Sequence, residues 1–153
     1  MRCLHIALAV MSLAGANTVS PVAAQAISDD DWTVLTMAPD GSWGAATGPI
    51  NQAIANAIAK CKVAYQREIG CGAVLTSIRT GWSLGVQCGG ETIVVAEKTL
   101  ADAEQAATRR EAKLRQHYVP NIPPCRRVVT VDPNGSIIVP PTDGSATNRV
   151  SGR

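Results

Sequence analysis

The chain has 153 residues, with 14 Lys and Arg against 12 Asp and Glu and a net charge of +2. This length fits one domain, and the near-balance of charge leaves no basic footprint for nucleic acid or an acidic surface. With no Phe, three Trp and two Tyr, stacking platforms for bases or sugars are scarce, and the core falls to Ile, Val, Leu and Ala.

Arg2 precedes an apolar run from Ile6 to Ala16, and Pro21 leads into Ala24-Gln25-Ala26. A charged start, a short apolar core and an Ala-x-Ala site are the parts of a secretory signal peptide. The run falls short of the roughly 20 residues that a membrane span needs. The expected leader is therefore 1–26, with cleavage after Ala26 or, alternatively, Ala24. It carries Cys3 away, and no Cys near the site offers a lipid anchor. Residues 27–31 form a polar lead ending in Asp29, Asp30 and Asp31. They lack the alternating oxygen ligands and Gly turn of a calcium loop.

Trp32 to Met37 and Trp43 to Thr47 read as two strands joined by the turn Pro39-Asp40-Gly41. Gly48-Pro49 ends the hairpin. Ile50, Ala53, Ile54, Ala57, Ile58 and Cys61 then recur at helical spacing, with Asn51, Lys60 and Lys62 off the stripe. Gly70 to Ile78 reads as a strand containing Cys71. After Arg79-Thr80-Gly81 come a strand from Trp82 to Cys88, the tight turn Gly89-Gly90 and a partner strand from Glu91 to Ala96. Thr99 with Asp102 reads as an N-cap with an acidic first turn. The helix from Leu100 to about Gln116 is expected to bury Leu100, Ala103, Ala107, Leu114 and Tyr118, and to leave Arg109, Arg110, Glu111 and Lys113 to solvent. Pro120, Pro123 and Pro124 stiffen the connector to a strand from Cys125 to Val131. Asp132-Pro133-Asn134-Gly135 turns the chain into a short edge strand within Ser136 to Val139. Residues 140–153 are rich in Gly, Ser, Thr and Asn and read as a disordered tail.

The expected domain, 32–139, thus reads as one unit written twice, each copy strand, strand, helix, strand. The fold class is α+β: mainly antiparallel sheet, two helices and two disulfides. The mature cysteines are Cys61, Cys71, Cys88 and Cys125, an even number in an exported chain and without a C-x-x-C pair. That favours bridges over a zinc site or a redox pair. Four cysteines allow three connectivities. Repeat logic selects Cys61–Cys71, across one helix–strand corner, and Cys88–Cys125, within the second copy.

The block Ala53 to Cys61, Cys71-Gly72-Ala73-Val74, Trp82 to Cys88 and the Ala-rich second helix resembles the secreted bacterial family named domain of unknown function 4189 (DUF4189). The likeness covers about Trp32 to Val131. The chain departs from it in a second helix without Cys and in the Pro-rich connector. The resemblance implies a compact α+β exported domain and brings no established catalytic residues.

His117 is the sole mature histidine. A Ser–His–Asp or Cys–His arrangement would depend on it entirely, and no G-x-S-x-G is present. Metal ligation lacks a second His, and neither phosphate-loop pattern occurs. Glu91 and Glu97 could in principle be paired hydrolytic carboxylates. Arg126 and Arg127 alternate along a strand, so they face opposite ways. No catalytic, cofactor or metal residues are assigned. The expected function is a small exported, non-catalytic module, periplasmic or extracellular, that contacts a protein or envelope partner in an inhibitor-like way. The alternative is a small secreted hydrolase using carboxylates or His117.

Overall fold

Each half of the chain opens with a hairpin whose first strand becomes the centre of a sheet. The computed structural model describes residues 31–66 and 68–140. The expected leader, most of the polar lead and the tail beyond Pro140 lie outside the described residues. The elements are β1 (Trp32–Met37), β2 (Trp43–Gly48), α1 (Ile50–Tyr65), β3 (Val74–Ile78), β4 (Trp82–Cys88), β5 (Glu91–Glu97), α2 (Leu100–His117), β6 (Arg126–Val131) and β7 (Ile137–Ile138). The expected α+β class holds, but the strands form two sheets, ordered β2-β1-β3 and β5-β4-β6-β7, with every ladder antiparallel.

The two units match in register as well as in order. In the first, Leu35 lies opposite Ala45 on β2 and Thr76 on β3. In the second, Gly85 lies opposite Val94 on β5 and Val129 on β6. Counting along the central strands from Trp32 and Trp82, these are equivalent positions. A bulge between Gly85 and Val86 is the second unit's irregularity, and β7 is its extra strand.

The sheets pack face to face with one helix outside each, giving layers α1, sheet, sheet, α2. Leu35, Met37, Ala45, Val94, Val129 and Val131 fill the space between the sheets. Val34 and Ala46 meet Ala53 and Ala57 of α1, while Leu84, Ile93 and Val95 meet Ala103 and Ala106 of α2. β1 is covered on both faces, so its inner residues are apolar in succession instead of alternating. Thr33 and Thr36 are nevertheless buried there. Thr36 is satisfied because its hydroxyl donates to Val74 O (2.7 Å) and accepts from Gly72 N (2.9 Å).

Small residues set how closely α1 approaches. A Cβ on Gly44 would fall 2.1 Å from Ala57 O and 2.5 Å from Cys61 N. Only glycine lets β2 lie against the helix backbone at that spacing. At α2, Thr99 caps as expected: its hydroxyl accepts from Asp102 N at 3.1 Å and donates to Asp102 Oδ2 at 2.7 Å.

The disulfides are Cys61–Cys71 and Cys88–Cys125, with Cα separations of 5.8 and 4.1 Å. Each pins the segment leading into the third strand of its unit, the first to the helix and the second to the end of the central strand. Three expectations need correcting. Cys71 does not lie within a strand: Gly70 and Gly72 take positive φ (129° and 90°) and turn the chain, so β3 begins only at Val74. Cys125 likewise immediately precedes β6. Tyr118 is 71% exposed, not buried. The chain leaves the helical path there, with the N–H groups of Tyr118 and Val119 both donating to Leu114 O. Val119 and Ile122 pack against the α2 core instead.

Candidate functional site: sheet edges and the α2 groove

The titratable residues singled out from sequence stand apart. Glu91 opens β5 at the hairpin turn and is exposed, whereas Glu97 closes the same strand. A seven-residue strand puts them about 20 Å apart, beyond the roughly 5–9.5 Å that paired glycosidase carboxylates require. His117 is the exposed last residue of α2, its ring edge-on to Tyr118 with centroids 6.4 Å apart. It lies at the far end of α2, whose 18 residues span about 27 Å, whereas Glu97 precedes the start of that helix. Among the described residues no group of three or more His, Cys, Asp or Glu converges, and Cys61, Cys71, Cys88 and Cys125 are all bridged. No helix of the described residues is long and apolar enough to cross a membrane.

A groove of about 280 Å³ lies beside α2, over β4 and the start of β6. Its apolar floor includes Leu84, Val86, Ala107 and Cys125, and Glu104, Glu111 and Arg127 stand around it. These charges are already engaged. Arg127 pairs with Glu104 across the helix–strand gap. Arg115 donates to Glu111 Oε1 (2.8 Å), to Ile122 O (2.6 Å) and to Pro123 O (3.1 Å), tying the Pro-rich connector to α2. On the opposite face of β6, Arg126 donates to Gln87 Oε1 at 2.9 Å. The two arginines therefore serve different faces, as strand alternation requires.

The lateral strand edges are treated unequally. Each hairpin edge is closed by a basic side chain at the eleventh position of its helix. Lys60 Nζ donates to Ala45 O of β2 at 3.0 Å, and Arg110 Nη1 donates to Val94 O of β5 at 2.5 Å. Ala45 and Val94 are equivalent residues of the two units, so this device occurs twice at one place. A charge laid over an edge carbonyl blocks pairing with another chain. β7 is different. Among the described residues it pairs with β6 on one side only, and Ile137, Ile138 and Val139 are 44%, 49% and 57% exposed. The turn before it is well built: Asp132 Oδ1 accepts from Asn134 N and Ser136 N, each at 2.8 Å, and Asp132 N donates to Ser136 O at 3.0 Å. An ordered turn thus presents an apolar edge.

The sequence places Lys60 off the α1 stripe and Arg110 on the solvated side of α2, and both are exposed; their bonds to edge carbonyls, and the apolar triplet Ile137 to Val139, are not singled out by it. The signals were present: two basic residues at the same helix position, and an uncharged apolar triplet in an expected edge strand. Comparison of the chain with family models, curated proteins and solved structures finds no match in any of the three.

Proposed function

We propose that this protein is a small exported binding module, non-catalytic and inhibitor-like, that takes an extended, uncharged segment of a partner protein onto the free edge of β7. The observation that carries this reading is the contrast between edges. Lys60 and Arg110 close β2 and β5, while β7 offers exposed Ile137, Ile138 and Val139. Strand addition at such an edge gains affinity from main-chain hydrogen bonds and specificity from alternate side chains. The two disulfides are compatible with an oxidising compartment. Together with the leader-like start they support a periplasmic or extracellular site of action. Membership of the DUF4189 family belongs to the same reading.

The test is selection of a displayed library of extended peptides against the mature, oxidised protein. Selected peptides are expected to be apolar and uncharged, and to lose binding to the folded Ile137→Lys/Ile138→Lys variant. Binders indifferent to those substitutions contradict the reading. So does turnover of a glycan, peptide or ester that disappears on replacing His117, Glu91 or Glu97.

A further inference from the structure

β3 is the remaining sheet edge, and the internal repeat shows what belongs beside it. In the second unit the equivalent strand, β6, carries β7 along its outer edge, with Thr130 opposite Ile138 and Val131 opposite Ile137. By register, Thr130 and Val131 correspond to Ser77 and Ile78 of β3. In the first unit β3 ends its sheet, and no strand occupies that position among the described residues. β3 reads Val74-Leu75-Thr76-Ser77-Ile78, with neither charge nor Pro. No residue of it is fully buried, and Leu75 is 40% exposed. Natural edges are ordinarily blunted by Lys, Pro or a covering segment. The side chains that close β2 and β5 have no counterpart over β3 among the contacts of the described residues.

We infer that β3 is a self-association edge, and that a second copy of this chain supplies the missing fourth strand by antiparallel β3–β3 pairing about a two-fold axis through Thr76. The register follows from the faces. Val74 packs toward the space between the sheets, and alternation places Thr76 and Ile78 on that face and Leu75 and Ser77 on the other. A two-fold axis normal to the sheet keeps like faces together. Centring on Thr76 pairs all five residues: Val74 with Ile78 of the copy, Leu75 with Ser77, and Thr76 with itself. Aliphatic and Thr–Thr cross-strand pairs are favourable, and one isologous contact gives a closed dimer instead of a filament. The chemistry that recognises this edge is thus the edge itself. The inference is independent of the β7 reading.

The test is sedimentation equilibrium of the mature, oxidised protein across the micromolar range, with two variants. Wild type is expected to be a monomer–dimer mixture. Leu75→Lys/Ser77→Lys sets lysines opposite lysines and is expected to raise the dimer dissociation constant by about tenfold or more. Thr76→Cys places the new thiol against its own copy and is expected to give a covalent dimer under mild oxidation, with Ser77→Cys a poor substitute. If the lysine variant fails to fold, the Thr76→Cys cross-link decides alone. Ile137→Lys/Ile138→Lys is expected to leave the dimer intact. A monomer at every concentration overturns the inference. So does a dimer that Thr76→Cys does not cross-link.

Discussion

Replacing Gly44 by Ala tests the close contact between β2 and α1. The added Cβ would sit 2.1 Å from Ala57 O, 2.5 Å from Cys61 N and 3.1 Å from Ala57 C. All three atoms are helix backbone, so no side-chain rotation relieves the overlap. Restoring an ordinary carbon–oxygen contact moves α1 off the sheet by about 1 Å, a gap that forfeits up to half of each van der Waals contact it opens. The contacts at risk are those of Val34 and Ala46 with Ala53 and Ala57, together with the Lys60 bond to Ala45. The helix is also held at Cys61 by its bridge to Cys71, which resists the shift. Overpacking of a core costs about 1–3 kcal/mol. A rigid backbone neighbour puts Gly44→Ala at about 3 kcal/mol, a large share of a typical total of about 5–15 kcal/mol. In calorimetry of the oxidised protein this lowers Tm by more than about 10 °C. Gly90→Ala is the control, because a Cβ there meets nothing within 4 Å. A Gly44→Ala protein melting within about 3 °C of wild type would refute the close approach of α1.

Other substitutions probe separate terms. Ser83 Oγ is buried without a hydrogen-bond partner, and such a group carries a desolvation cost of about 1–3 kcal/mol. Ser83→Ala is therefore expected to leave stability to denaturant unchanged or raise it, and a loss above about 1 kcal/mol would mean that the hydroxyl has a partner. Lys60→Met and Arg110→Met each remove one edge hydrogen bond, worth about 1 kcal/mol. They act in different units, so their effects on the denaturation midpoint should add. Chain entropy assigns about 3 kcal/mol to the Cys61–Cys71 loop and about 4 kcal/mol to the Cys88–Cys125 loop. Cys88→Ala/Cys125→Ala should accordingly destabilise more than Cys61→Ala/Cys71→Ala in parallel thermal melts.

Much of the fold is legible in local chemistry. Asp40-Gly41 and Gly89-Gly90 mark the hairpins, Thr99 with Asp102 marks the start of α2, and the cysteine spacing suits bridges that stay within a unit. The layering is not legible, because it depends on long-range packing. Trp32 to Met37 reads locally as an alternating strand, and only the packing of Leu35 and Met37 between the sheets and of Val34 against α1 shows that β1 is covered on both faces. Cys71 reads as part of a strand until the positive φ angles of Gly70 and Gly72 show a turn there. Tyr118 fits the apolar stripe of α2 by periodicity alone, but the helix ends beneath it. The candidate site was the least legible part. Edge protection by Lys60 and Arg110 is a relation between a helix position and a strand carbonyl, and it emerges only once both units are folded in the same register. The apolar triplet Ile137 to Val139 becomes informative by contrast with those closed edges.

Two bridges, one in each unit, close the domain, and the proposed export and these bridges are tested together. The most direct measurement is intact mass and non-reduced tryptic mapping of the protein recovered from the periplasm or medium. Lys62, Arg67, Arg79, Lys98 and Arg115 lie between the cysteines, so trypsin places Cys61, Cys71, Cys88 and Cys125 on separate peptides. The expected product is a chain starting at Ile27, lighter by two hydrogens per bridge, with linked peptides joining Cys61 to Cys71 and Cys88 to Cys125. A chain that still starts at Met1 with free thiols, or a peptide joining Cys61 to Cys88, would contradict this expectation.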